Sequence, residues 1–171
     1  MIKFRASLLL IMSLLLSSCG EEMVLPLPEK MTRDSIGFYC AMIVADHAGP
    51  KAQVFEKGKE KSLWFSQVRD AFAYRSMPGE AQNISVIYVH DMGQATSYDK
   101  PQVDGIWIEA KTAFYVINSQ KRGGMGARET IPFKHRTDAE EFAKIHKGIV
   151  VAFSEIPLDY LWGDEGEYET N

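Results

Sequence analysis

The chain has 171 residues, a formal charge of −4, and a composition that is 46% hydrophobic and 25% charged. That length carries one ordinary domain or two small ones, and the near-neutral body lacks the basic footprint of a nucleic-acid binder. After residue 18 no apolar run approaches the roughly 20 residues of a spanning helix, so membrane attachment would come from lipid.

Residues 1–18 combine a basic start (Lys3, Arg5), an apolar run from Leu8 to Leu16 and a closing Ser17-Ser18 pair. This is the pattern of a secretory signal peptide. Its ending, Leu16-Ser17-Ser18-Cys19, resembles a bacterial lipobox, which makes Cys19 the lipid-bearing first residue of the mature protein. Gly20 rather than Asp follows, a sorting pattern that leans towards the outer membrane. Residues 19–36 show no helix or strand period and contain Pro26 and Pro28, as expected of a tether. The second cysteine, Cys40, is then a lone thiol in an oxidising compartment. An odd cysteine there points to intermolecular pairing or a reactive site. It stands in Cys40-Ala41-Met42, a thiolate and a thioether two residues apart, and such soft sulfur ligands select Cu(I). Core filling is the alternative for both residues.

The body reads as α+β, two related β-β-α-β units. The first unit is placed at 37–104. Lys51–Glu56 alternates like a strand and Ser62–Phe65 is a second short one. Val68, Ala71, Phe72 and Arg75 recur at helical spacing, and Ile84–Val89 is a β-branched strand. A further strand is expected at Gly105–Ile108. The second unit, 105–157, repeats the order. Ala113–Ile117 is a strand and Ile131–Phe133 is held to a sheet edge by Pro132. Thr137 to Glu140 reads as a capping box. Ala139, Phe142, Ala143 and His146 share one helix face, Gly148 stops the helix, and Ile149–Phe153 closes the unit. At an offset of 68 residues Leu63 matches Ile131, Phe65 Phe133, Asp70 Asp138, Ala71 Ala139, and Tyr74 Phe142. Units this small are marginal alone, so the halves are expected to pack together or share a metal. Residues 158–171, with Asp159, Asp164, Glu165, Glu167 and Glu169 and no Lys or Arg, read as an acidic tail.

Several residues outside the Cys-x-Met pair are candidate ligands. Met125 lies in Gly123-Gly124-Met125-Gly126 and Met92 in Asp91-Met92-Gly93, both loop settings. His47 lies five residues beyond Met42, and imidazole suits copper and zinc alike. Asp46 could orient it. His90 adjoins Asp91 and Met92, His135 precedes the second helix, and His146 reads as packing. No Cys-x-x-Cys, glycine-rich phosphate loop or nucleophile elbow occurs.

These stretches, taken together, resemble the NosL family, lipoprotein copper chaperones that accompany nitrous oxide reductase. The resemblance runs from about Gly37 to Leu161 through Tyr39-Cys-Ala-Met42, Asp46-His-Ala-Gly-Pro-Lys-Ala-Gln53 and Leu63-Trp-Phe-Ser-Gln67 with Asp70. It continues in Tyr88-Val-His-Asp-Met-Gly93, Gly123-Gly-Met-Gly126 and Ile131-Pro-Phe133. Family members usually carry Gly where this chain has Ala41, and Pro where it has Ala48. The family fold is similar to part of the alkylmercury lyases, which act through paired thiols; a single available thiol argues against that activity here. The resemblance implies a non-enzymatic periplasmic Cu(I) carrier in denitrification, delivering copper to apo-nitrous oxide reductase for its copper–sulfur cluster. The expected ligands are Cys40, Met42 and Met125, with Met92 and His47 next, and a second metal such as zinc stays open. Two other readings remain: a zinc-binding structural or sensory lipoprotein using His47, His90 and Cys40, and a thiol enzyme pairing Cys40 with a histidine.

Overall fold

Apolar side chains that alternate along short β-branched stretches give two antiparallel sheets. A computed structural model describes residues 24–101 and 104–163. The signal peptide, Cys19 and most of the acidic tail lie outside the described residues. The first sheet contains β1 (Ala52–Glu56), β2 (Leu63–Phe65), β3 (Ile84–His90) and β4 (Trp107–Glu109), in the order β2-β1-β3-β4. Ala52 pairs with both Phe65 and Val89, so β1 is central. Helices α1 (Val68–Ser76) and α2 (Glu80–Asn83) connect β2 to β3. The second sheet contains β5 (Phe114–Ile117), β6 (Ile131–Phe133) and β7 (Ile149–Ala152), in the order β6-β5-β7, with α3 (Arg136–His146) between β6 and β7. Each sheet therefore centres on its first strand and crosses over through a helix. Pro132 takes the edge position its missing N–H demands.

The two sheets bury one continuous core. Ala52, Val54, Phe65, Ile87 and Val89 from the first sheet and Tyr115 and Ile117 from the second enclose Val68, Ala71 and Phe72 of α1. Those three α1 residues sit at i, i+3 and i+4, the helical spacing that puts one stripe inward. The opposite face of the second sheet packs Val116, Ile131 and Phe133 on Ala139 of α3. The opposite face of the first sheet is covered by the N-terminal segment, with Met31 and Val44 on Trp64.

Four expectations change. The strand near Ile108 belongs to the first sheet, because Val89 pairs with Ile108, so the first unit extends past 104. The tether is shorter than residues 19–36. Tyr88 Oη donates to the Pro26 carbonyl at 2.8 Å, and the Gln53 amide bonds Glu29 through both its oxygen and its nitrogen. The tail does not begin at Leu158. A helix, α4 (Leu158–Trp162), buries Tyr160 and Leu161 against α1, an apolar pair that the surrounding acids hide from composition. The second helix starts at Arg136 after an extended His135, so Thr137 lies inside it and its hydroxyl faces Asp138 instead of capping.

Phe72 makes edge contacts with Tyr115 of the second sheet, at 5.3 Å between ring centres, and with Phe153, at 5.2 Å. Phe72→Ala is therefore expected to cost about 3–5 kcal/mol. Urea unfolding followed by Trp fluorescence and by far-UV circular dichroism should shift as a single transition. Separate transitions would mean that the sheets do not share one core.

Candidate metal centre

Cys40 sits in a tight loop whose ends are zipped together. Ile36 bridges Ile43, Gly37 N donates to the Met42 carbonyl at 2.8 Å, and Ala41 N donates to the Gly37 carbonyl at 2.9 Å. Phe38 N donates to Trp64 O at 2.7 Å, which docks the loop on β2. A side chain at Gly37 would collide with the Cys40 sulfur. Ala41 has φ of 54°, a left-handed conformation that costs a non-glycine residue roughly 1–2 kcal/mol. This is the position where glycine is expected by resemblance. The loop keeps that path with alanine, at a strain its three backbone hydrogen bonds offset.

Cys40 is a free, half-buried thiol, and its Sγ lies 3.6 Å from Ser66 Oγ. Ser66 and Gln67 are themselves buried at the N-terminus of α1. Gln67 Oε1 accepts from Met125 N at 2.9 Å, while its Nε2 donates to Asp70 Oδ2 at 3.0 Å. The carboxylate of Asp70 thus fixes which end of the amide faces the methionine loop. On the other side, His47 Nδ1 lies 3.2 Å from the Gly124 carbonyl. A carbonyl only accepts, so Nδ1 carries the proton and Nε2 keeps a free lone pair for a metal. Gly124 is wedged there. An added Cβ would lie 2.6 Å from His47 Cβ, 2.9 Å from Ala48 O and 3.2 Å from Ser66 O.

Two buried ionisable side chains hold these segments. Lys51 Nζ donates to the carbonyls of Ala48 at 2.9 Å and Gly49 at 2.5 Å, pinning the turn that carries His47. Burial brings its pKa down to about 8, with Glu129 pulling the other way. Glu129 follows the methionine loop and caps α1 from outside. Its Oε2 accepts from Val68 N at 3.2 Å and its Oε1 from Arg69 N at 2.8 Å. Burial pushes its carboxyl up to about 8, against the backbone N–H groups of Arg69 and Thr130 that favour the charged form.

The structure therefore brings Cys40, His47 and Met125 to one place around Ser66 and Gln67, with Met42 on the Cys40 loop. Met42 and Met125 are 42% and 45% exposed, so both thioethers are open to solvent at the rim. Met92 does not join them. It is buried among Val116, Ile131 and Phe133, and its N–H is held by Pro132 O. The glycine beside it, Gly93, is exposed and lies against the Asp138 side chain, where an added Cβ would come within 2.6 Å of Oδ2. His90 is also a core residue, with its ring centre 4.1 Å from that of Trp107. Among the described residues no three His, Cys, Asp or Glu side chains group as a metal site, so the set His47, His90 and Cys40 is not assembled. Sequence reasoning missed the supporting role of Ser66, Gln67, Lys51 and Glu129. Ser66-Gln67 immediately before a helical period was the one local cue.

The NosL family model matches residues 28–161. The chain belongs to the NosL family. Among curated relatives it is 47% identical over 144 residues to the copper-binding lipoprotein NosL of Achromobacter cycloclastes, covering 83% of this chain and 74% of the relative. It is 35% identical to that of Stutzerimonas stutzeri, over 82% of this chain and 73% of the relative. The crystal structure of the copper chaperone NosL from Shewanella denitrificans aligns with a TM-score of 0.73 at 28% identity, covering 78% of this chain and 97% of that one. The α+β architecture is thus that of a solved NosL protein.

His90 gives this NosL fold a measurable acid sensitivity. Both ring nitrogens are buried with no hydrogen-bond partner. Burial first, then the charge of Lys51, takes its pKa down to about 3. The folded protein keeps the ring neutral, while the unfolded chain binds a proton below about pH 6.5. Stability should therefore fall as pH drops from about 6.5 towards 3, with a slope approaching 1.4 kcal/mol per unit from this residue. Urea midpoints measured between pH 7 and 5 should show that decline in the wild type and a flatter profile in His90→Leu.

Proposed function

We propose that this chain is an exported, lipid-anchored, non-enzymatic carrier of Cu(I). The observation that carries the reading is the convergence of Cys40, His47 and Met125 on the buried Ser66-Gln67 pair. A thiolate with thioether and imidazole neighbours favours Cu(I) over harder ions. Cys40 supplies the thiolate, Met42 and Met125 the thioethers, and His47 Nε2 a further donor. The exposed methionines leave one side of the ion open, so an incoming ligand can bind before the carrier lets go, and copper passes without being freed. Cys19 carries the lipid, and the protein works in the periplasm, at the outer membrane by the Gly20 rule. The recipient is apo-nitrous oxide reductase during assembly of its copper–sulfur cluster. Family membership supports the reading of a copper-carrying lipoprotein, because the relatives are named copper-binding lipoproteins and a copper chaperone.

Anaerobic titration with Cu(I) against a chromogenic chelator tests the ligand set. One tightly bound ion is expected in the wild type, lost in Cys40→Ser and weakened in Met125→Ala, with Met92→Ala unchanged. Gln67→Ala, which touches no metal but frees the Met125 loop, should weaken binding by about tenfold or more. Retention of tight, stoichiometric binding in Cys40→Ser would sink the proposal.

A further inference from the structure

The end of the first sheet that is remote from the metal centre carries a basic turn beside the N-terminal segment. The β1–β2 connection reads Lys57-Gly58-Lys59-Glu60-Lys61, and every one of these residues is exposed. The carboxylate of Glu56 is turned inward to the Tyr74 hydroxyl at 2.8 Å, and the Lys61 ammonium lies a loose 3.9 Å from Glu29. The turn thus presents three ammonium groups against one exposed carboxylate. Val24, Leu25 and Pro26 line a shallow depression with Glu56, Lys57, Gly58 and Lys59. Val24 is 90% exposed and Leu27 83%, an unusual investment of apolar surface next to lysines.

The chain connects this patch directly to Cys19. Among the described residues the segment is hydrogen-bonded to the body from Pro26, whose carbonyl accepts from Tyr88, and Cys19 is seven positions earlier. Even fully extended, that stretch spans at most about 25 Å, while a body of this size is roughly 35–40 Å across. A tether shorter than the body cannot let it turn over, so the face around Pro26 stays towards the anchor. From there the segment runs along the sheet to the metal loop. Leu25 lies by Lys57 to Lys59, Glu29 bonds Ser62, Met31 packs on Trp64, and Cys40 reaches Ser66. The lysine turn and the metal centre therefore occupy opposite ends of β1 and β2, separated by about 17 Å of strand.

We propose that the Lys57–Lys61 turn, with Val24, Leu25 and Leu27, is a membrane-contact surface for anionic phospholipid headgroups, and that it holds the metal centre facing away from the bilayer. The apolar side chains enter the headgroup boundary and the lysines meet lipid phosphates, the two signals that a lipid chain needs for firm attachment. The proposal rests on the reading of Cys19 as the lipid-bearing residue and adds an orientation to it.

The test uses the lipidated protein in vesicles of phosphatidylglycerol and phosphatidylethanolamine, compared with phosphatidylcholine vesicles, read by amide hydrogen exchange. On the anionic vesicles exchange at residues 24–27 and 57–61 should slow by about tenfold, with residues 38–42 and 123–126 unaffected. Lys57→Glu/Lys59→Glu/Lys61→Glu should lose that protection. Cu(I) titration of the same sample should be unchanged by the triple substitution, which reports both an intact fold and the carrier function independently. Absent protection at 57–61, or equal protection on neutral vesicles and in the triple variant, overturns the proposal. A mass spectrum with Cys19 unmodified overturns the anchor and the orientation with it.

Discussion

The candidate metal centre depends on one buried carboxyl group. Glu129 accepts the first-turn N–H groups of α1 through both oxygens, doing from another segment what Gln67, the N-terminal flanking residue, does not do with its own side chain. A helix N-terminus buried without acceptors costs about 1–3 kcal/mol per orphaned amide. The cap ties the stem of the Met125 loop to the start of α1. Gln67 is left free to bond Met125, and Ser66 to face Cys40. Capping by Gln67 itself would have satisfied the helix and left the methionine loop unheld.

Other contacts serve that arrangement. The Tyr160 hydroxyl donates to Glu129 O at 2.8 Å, and Arg69 Nε donates to Leu161 O at 3.1 Å. Helix α4 is thus part of the support for the centre. Lys51 performs the equivalent task for the His47 turn. Its ammonium holds the two carbonyls that immediately follow His47, so the imidazole is positioned by its own backbone as well as by Gly124.

The fold was legible where periodicity carries it. The strands around Val54, Ile87 and Tyr115, the α1 stripe and the edge position of Pro132 all follow from alternation, helical spacing or a missing N–H. What sequence could not reveal depends on long-range pairing. Nothing near Glu129 announces that it caps a helix 60 residues earlier. Met92 and Met125 look alike in sequence, each beside glycine, yet Met92 is buried in the core while Met125 is exposed between the wedged Gly124 and the open Gly126. The N-terminal segment lacks any period because it runs as an irregular strap, held by side-chain bonds to Gln53, Ser62 and Tyr88. Absence of periodicity is therefore not absence of packing.

The centre has a firm base and an open rim, and that division suits a carrier. Ser66, Gln67 and Glu129 are buried to within a few per cent of full occlusion, whereas Met42, Met125, Phe38 and Tyr39 keep 42% to 50% of their surface. Phe38 and Tyr39 are not loose: their rings lie 5.8 and 5.4 Å from Phe65, so the loop's apolar flank is preformed. A site built only for retention would enclose its thioethers, because burial excludes competing ligands. A site built only for capture would not need the sulfur of Cys40 to be half-shielded. Fixing the backbone at Met125 N and Gly124 O while leaving the methionine side chains partly open to solvent holds the loop in place and keeps its side chains accessible. The low rotamer barriers of methionine then let the rim yield to an incoming ligand without disturbing the base.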